Sequence, residues 1–272
     1  MVFSLLQFST CAMQFALKKV NLSGLAAFGA LLLLWEIFAR QSPVIQNYLP
    51  PISRIVLALF HLVVSREILG HLLGSASRFL SGYCLAAAGA IAFGIVLGHF
   101  RFAYSLVEVL IELLRPMPSV AIIPVAILLL GIGNPTIVAV TVYACAWPIL
   151  INTIDGVRNI ERTLIDTGRT FGLGRWKILR RIVLPAASPY IGTGLRVSLS
   201  IALILVTTAE MVVGGSGLGY FILDEERSLR TSNMYAGIVM VALLGYALNR
   251  LFVLLENRAM AWHRGMITRQ AL

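Results

Sequence analysis

The chain of 272 residues is 58% hydrophobic and only 12% charged, with a mean hydropathy of +0.87. That excludes an ordinary water-soluble domain, in which roughly a quarter of residues are charged and one core hides the apolar remainder. The formal net charge of +10 does not point to nucleic acid, because the basic side chains stand between apolar runs instead of mixing with aromatics on a polar face.

Residues 1–20 lack a basic group ahead of their apolar part and carry Gln7, Ser9 and Gln14 within it, which favours an interfacial or cytoplasmic segment over a secretory signal. Residues 21–272 read as one transmembrane domain. A helix needs roughly 20 apolar residues to cross about 30 Å of hydrocarbon. Spans are expected at about 22–39, 79–99, 105–130 (broken by Pro116, Pro118 and Pro124), 136–153, 191–213 and 235–256. The segment from Ser53 to Glu67 alternates in helical fashion and is expected along the outer surface. Lys18, Lys19 and the loop 154–190, with Arg158, Arg162, Arg169, Arg175, Lys177, Arg180 and Arg181, then lie inside. Arg40, Arg54, Arg66, Arg78, Arg227 and Arg230 lie outside, the last two offset by Asp224, Glu225 and Glu226. The bias of basic residues toward inner loops therefore predicts an all-α, six-span protein of the plasma membrane with both termini cytoplasmic. Cys11, Cys84 and Cys145 form no Cys-x-x-Cys pattern and read as small hydrophobes.

In the third span Glu108, Glu112 and Arg115 share a helical face. Charge facing lipid is costly, so they should face the bundle interior, a subunit interface or water. Glu112 and Arg115 either neutralise each other, or Arg115 and Met117 line an anion path. Glu210 in the fifth span is either a polar clamp to a neighbouring helix or a second path residue. The glycines of GGSGLGY permit unusual turns, making Gly215, Ser216 and Gly217 candidates for an outer gate. The same stretch fits Gly-x-Ser-Gly of an intramembrane protease, but the last span has no histidine base, and His61, His71, His99 and His263 form no metal pattern. No catalytic or metal site is predicted.

The inner loop contains DTGRTFGLGRWKILRRIVLP, Asp166 to Pro185. Ile160, Leu164, Ile165 and Gly168 recur at helical spacing, Gly172 and Gly174 interrupt, and Trp176, Ile178, Leu179, Ile182 and Val183 resume. Two short helices with a sharp glycine bend are predicted, the second stopped by Pro185 before the fifth span. Their apolar ridge needs a partner to cover it.

This loop resembles the signature of membrane subunits of ATP-binding-cassette (ABC) importers: Glu-Ala-Ala, three residues, Gly, nine residues, Ile-x-Leu-Pro. Here it reads Asp166-Thr167-Gly168, then Gly172, then Ile182-Val183-Leu184-Pro185 with the same spacing, departing only in the triplet. PPISRIV, LRPMPSVAIIPVAILLLGIG, AEMVVGGSGLGYFI and YAGIVMVALLGYALN are similar to segments of the nitrate, sulfonate and taurine branch. The resemblance implies a type I importer permease fold in which Asp166, Thr167, Gly168, Gly172, Leu173, Gly174, Ile182, Leu184 and Pro185 belong to a coupling helix that docks on a separate ATPase dimer. It further implies a second permease copy, a solute-binding protein at outer segments 40–78 and 214–234, and a small oxyanion or sulfonate as solute. The chain has no Gly-x-x-x-x-Gly-Lys-[Ser/Thr] loop, so no cofactor is expected in it, and ATP and Mg would belong to the ATPase. A secondary transporter or channel would share the spans, ions and broken helices, but needs no docking knob, and no inverted repeat relates the halves.

Overall fold

The computed structural model describes residues 22–259, so the segment expected at 1–20 lies outside them. Every regular element among the described residues is helical. The chain divides between Ala58 and Leu59 into two compact units.

The first unit contains α1 (Leu22–Ala39), α2 (Pro43–Tyr48) and the start of α3 (Ile52–Val64). Ser42 caps α2 by accepting the Val44 N–H at 3.3 Å, and Pro43 follows where a missing N–H costs nothing. The Pro50–Pro51 turn is tied back to α1. Trp35 Nε1–H donates to the Pro50 carbonyl at 3.1 Å, and Glu36 accepts from the Ser53 N–H (3.2 Å) and hydroxyl (2.8 Å) while pairing with Arg40 at 2.6 Å. The apolar part of α1 is short for a span, whereas Pro43–Val64, which takes in most of the Ser53–Glu67 segment expected along the outer surface, is long and apolar enough to cross.

The second unit continues with α4 (Glu67–His99), α5 (Arg101–Leu114), a 3₁₀ turn at Ser119–Ile122, α6 (Ile123–Leu130) and α7 (Asn134–Arg158). After the inner-loop helices α8 (Arg162–Thr170) and α9 (Arg175–Ile178) come a π turn (Leu179–Val183), α10 (Leu184–Val213), α11 (Leu218–Arg227) and α12 (Thr231–Ala259). The later expected spans map onto α4, the α5–α6 pair, α7, α10 and α12.

Two expectations need correction. The second span starts at Glu67, not near residue 79, and Arg78 is a buried residue within it instead of an outer-loop charge; partners described below neutralise it. Pro185 does not stop the second inner helix, because α9, the π turn and α10 form one run of 39 residues, Arg175–Val213. The Leu184 N–H reaches back to the Leu179 carbonyl, widening the helix just ahead of the proline and absorbing its missing donor. The break expected in the third span is present, since α5 and the Ser119–Leu130 segment meet at 94° around Pro116 and Pro118.

Helix α7 is the centre of this unit: 44% of its apolar window is buried, against 6% for α12, which is therefore peripheral. Lipid tails are as apolar as leucine, so association rests on close packing instead of exclusion from water. A Cβ on Gly94 of α4 would lie 2.6 Å from Thr153 of α7, so glycine sets that approach. The Thr153 hydroxyl is satisfied by the Ile149 carbonyl at 2.7 Å, which makes it an acceptable buried neighbour.

Candidate functional site

The inner loop folds as a hairpin on the end of the bundle. Helix α8 closes with a Schellman motif, in which the Leu173 N–H donates to the Gly168 carbonyl (3.0 Å) and the Gly172 N–H to Arg169 (2.9 Å). Gly172 supplies the left-handed residue, at φ 72°. Across the hairpin a Cβ on the buried Gly168 would lie 2.5 Å from Ile182 Cδ1, so the two arms interlock there. Val157, Ile178, Val183 and Ala187 form the cluster seating the hairpin, with Leu173 and Ile182 packed against it. Leu173 thus faces inward. The outward apolar groups are Phe171, 80% exposed, and Trp176, 72% exposed, which in water would call for a covering surface. Asp166 and Arg169 form an exposed pair at 3.2 Å, Thr167 and Gly174 are exposed, and Leu184 and Pro185 are half-buried at the start of α10.

At the opposite end of α10, Glu210 is fully buried. Arg78 Nη1 meets Oε1 at 2.6 Å, the Ser75 hydroxyl lies 2.9 and 2.7 Å from the two oxygens, and the Gly219 N–H donates to Oε2 at 3.0 Å. Four of the five Arg78 donors are engaged: besides Glu210, Nη1 reaches the Ser216 carbonyl (2.8 Å), Nη2 the Ser216 hydroxyl (2.6 Å) and Nε the Asn134 side-chain carbonyl (2.7 Å). Ser75 Oγ accepts the Leu218 N–H at 2.7 Å, and His71 Nδ1 the Gly217 N–H at 3.1 Å. The second half of the loop between α10 and α11, from Ser216 to Leu218, is thus latched to α4. Gly217 fits only as glycine, with φ 110° and a Cβ position 2.2 Å from Glu210 Cδ, whereas Gly215 meets open space.

Sequence reasoning singled out Glu210, Gly215, Ser216 and Gly217 but missed Arg78, Ser75 and His71. The signal was there: Glu67, His71, Ser75 and Arg78 recur at helical spacing, a polar stripe on an apolar helix. The geometry of Glu210 is that of a clamp between helices.

Arg115 and Met117 lie elsewhere, both exposed at the bend after α5. Glu112 and Arg115 line a cavity of about 460 Å³ with Tyr104, Ile111 and Asp155. No ion pair joins Glu112 to Arg115 among the described residues. Glu108 is half-buried on the same helix, and Glu210 does not line this cavity.

Residues 90–260 match the family described as "Binding-protein-dependent transport system inner membrane component". The chain belongs to this family. It is similar to a putative ABC transporter permease protein of Methanocaldococcus jannaschii, 34% identical over 255 residues that cover 91% of this chain and 92% of the relative. A nitrate import permease protein of Synechocystis is 32% identical over 67% of this chain and 66% of its own, and a putative aliphatic sulfonates transport permease protein of Bacillus subtilis 29% identical over 89% and 87%. The permease of the MetNI methionine ABC transporter, in an inward-facing conformation, shares the fold with a TM-score of 0.57 at 17% identity, covering 71% of this chain and 97% of that one. The protein is a multi-pass membrane permease subunit of an ABC importer, a transport component by family and not a known enzyme.

Proposed function

We propose that this permease moves a small oxyanion or sulfonate inward, driven through the α8–α9 hairpin by an ATPase dimer that binds ATP and Mg. Its similar proteins include permeases named for nitrate, aliphatic sulfonates and bicarbonate, all small anions. Arg115, exposed in a cavity beside Glu112 and Asp155, is the residue suited to meet such an anion on its way. A second copy of the chain completes the pathway across a two-fold axis, and a solute-binding protein delivers cargo at the outer face. Both termini are cytoplasmic.

The observation that carries this reading is the unbroken helix Arg175–Val213. At about 1.5 Å per residue it spans about 58 Å, from the hairpin with its exposed Phe171 and Trp176 to the loop latched by Arg78 and Glu210. The interlock at Gly168 and the Schellman turn make the hairpin stiff, so force applied to its tip moves α10 as a rod instead of dissipating in a flexible loop. The ATPase contact falls on Phe171 and Trp176, with Asp166, Thr167, Gly172 and Gly174 beside them, while Gly168, Leu173, Ile182, Leu184 and Pro185 hold the hairpin's shape.

The test is crosslinking from a cysteine placed at Phe171 or Trp176 in reconstituted complexes. Crosslinks to the ATPase, together with solute-stimulated ATP hydrolysis, are expected. Import persisting on an ion gradient without any ATPase would overturn the reading in favour of a secondary transporter. Arg115→Ala is expected to lose uptake while keeping assembly with the ATPase.

A further inference from the structure

Beside the hairpin, a cavity of about 700 Å³ is lined by Arg101, Arg158, Arg162 and Arg169, with Asp166 as its one acid. Arg169 is paired with Asp166, and the Arg158 guanidinium sits 3.7 Å above the Tyr104 ring. Arg101 and Arg162 are exposed and make no ion pair among the described residues. Each is the first residue of its helix, α5 and α8 respectively; Phe100 precedes Arg101 with no acid in the first turn of α5, whereas Glu161 stands at the N-cap of α8 beside Arg162 without capping it through its side chain. A helix start carries partial positive charge, so an arginine there is repelled unless an anion is nearby. Four arginines thus line one cavity with a single acid, and Arg101, at a helix start with no acid beside it, is the least matched of them.

The neighbouring groove, of about 930 Å³, shares His99 and Arg169 with that cavity and is otherwise largely apolar, lined by Val96, Phe100, Leu173, Trp176 and Leu179. A basic cavity continuous with an apolar groove matches an amphiphile, whereas a free anion would have no use for the groove. We infer that the two together bind one anionic phospholipid of the inner leaflet, its phosphate among Arg101, Arg158 and Arg162 and an acyl chain along Val96 and Phe100. This rests on the inner-face placement of the hairpin proposed above. The lipid would brace α5, α8 and the end of α4 against one another at the base of the hairpin.

The test is native mass spectrometry of the permease–ATPase complex extracted from membranes containing phosphatidylglycerol or phosphatidylcholine alone. Phosphatidylglycerol should stay bound. Arg101→Gln or Arg162→Gln should weaken its retention about fivefold, and the two together about 25-fold. Arg162→Lys should retain most of the binding, and Arg258→Gln, away from the cavity, should change nothing. Phe100→Asn should lose the lipid while leaving inorganic phosphate binding intact. Equal retention in the double variant, or displacement of the lipid by inorganic phosphate alone, would overturn the inference. The same spectra show whether the ATPase remains attached, so failure of the docking reading is seen separately from failure of lipid binding.

Discussion

The two ends of α10 solve opposite problems. At the latch, the Glu210 and Arg78 charges are buried and every donor facing the carboxylate is matched. At the hairpin, charges stay exposed and two large apolar groups are held out from the surface. A buried, fully hydrogen-bonded ion pair contributes little net stability but makes any other arrangement expensive. An exposed aromatic tip contributes nothing until something covers it. One end is thus built for a defined shape, while the other leaves its apolar groups open to the partner proposed above.

The largest effect should come from breaking the latch on one side only. Glu210→Ala leaves Arg78 buried without its counter-charge and should cost about 3–5 kcal/mol, read as lost thermal stability of the purified complex. Arg78→Met with Glu210→Met should restore much of that loss; a double variant as unstable as the single one would show that the pair is more than a clamp. Next, Gly172→Val forces a β-branched residue to φ 72°, costing about 1–2 kcal/mol locally. It should abolish solute-stimulated ATP hydrolysis while the subunit remains in the membrane.

Gly168→Leu should overpack the interlock with Ile182 by about 1–3 kcal/mol and loosen the hairpin, detected as faster proteolysis there. Phe171→Ala with Trp176→Ala should shift stability by less than about 0.5 kcal/mol yet remove ATPase stimulation, which separates docking from folding. The smallest effect is expected for Arg169→Gln, since an exposed i,i+3 pair such as that with Asp166 is worth about 0.2–0.5 kcal/mol and its loss should leave ATPase stimulation in place.

Much of the hairpin was legible in the sequence, because its parts are local. A glycine at the end of an apolar periodic run signals a left-handed cap, and Gly172 is one. The role of Pro185 was not legible. Whether a proline ends a helix or follows a widened turn depends on which carbonyl the preceding N–H reaches, and spacing does not encode that register. Arg78 was misplaced for a related reason. Counting arginines by loop treats each as a boundary marker, and only the approach of α4 to α10 turns this one into a counter-ion.

The sequence by itself determined the membrane class, most of the helices, the bend at Pro116 and Pro118 and the turn at Gly172, since each follows from apolar run length or from backbone chemistry within a few residues. Only the tertiary structure decided that Glu210 belongs with Arg78, 132 positions earlier, that Gly217 must be glycine, and that hairpin and latch lie on one continuous helix. Those outcomes depend on which distant groups share a dry interior, where an unmatched charge or an extra methyl is too costly to keep.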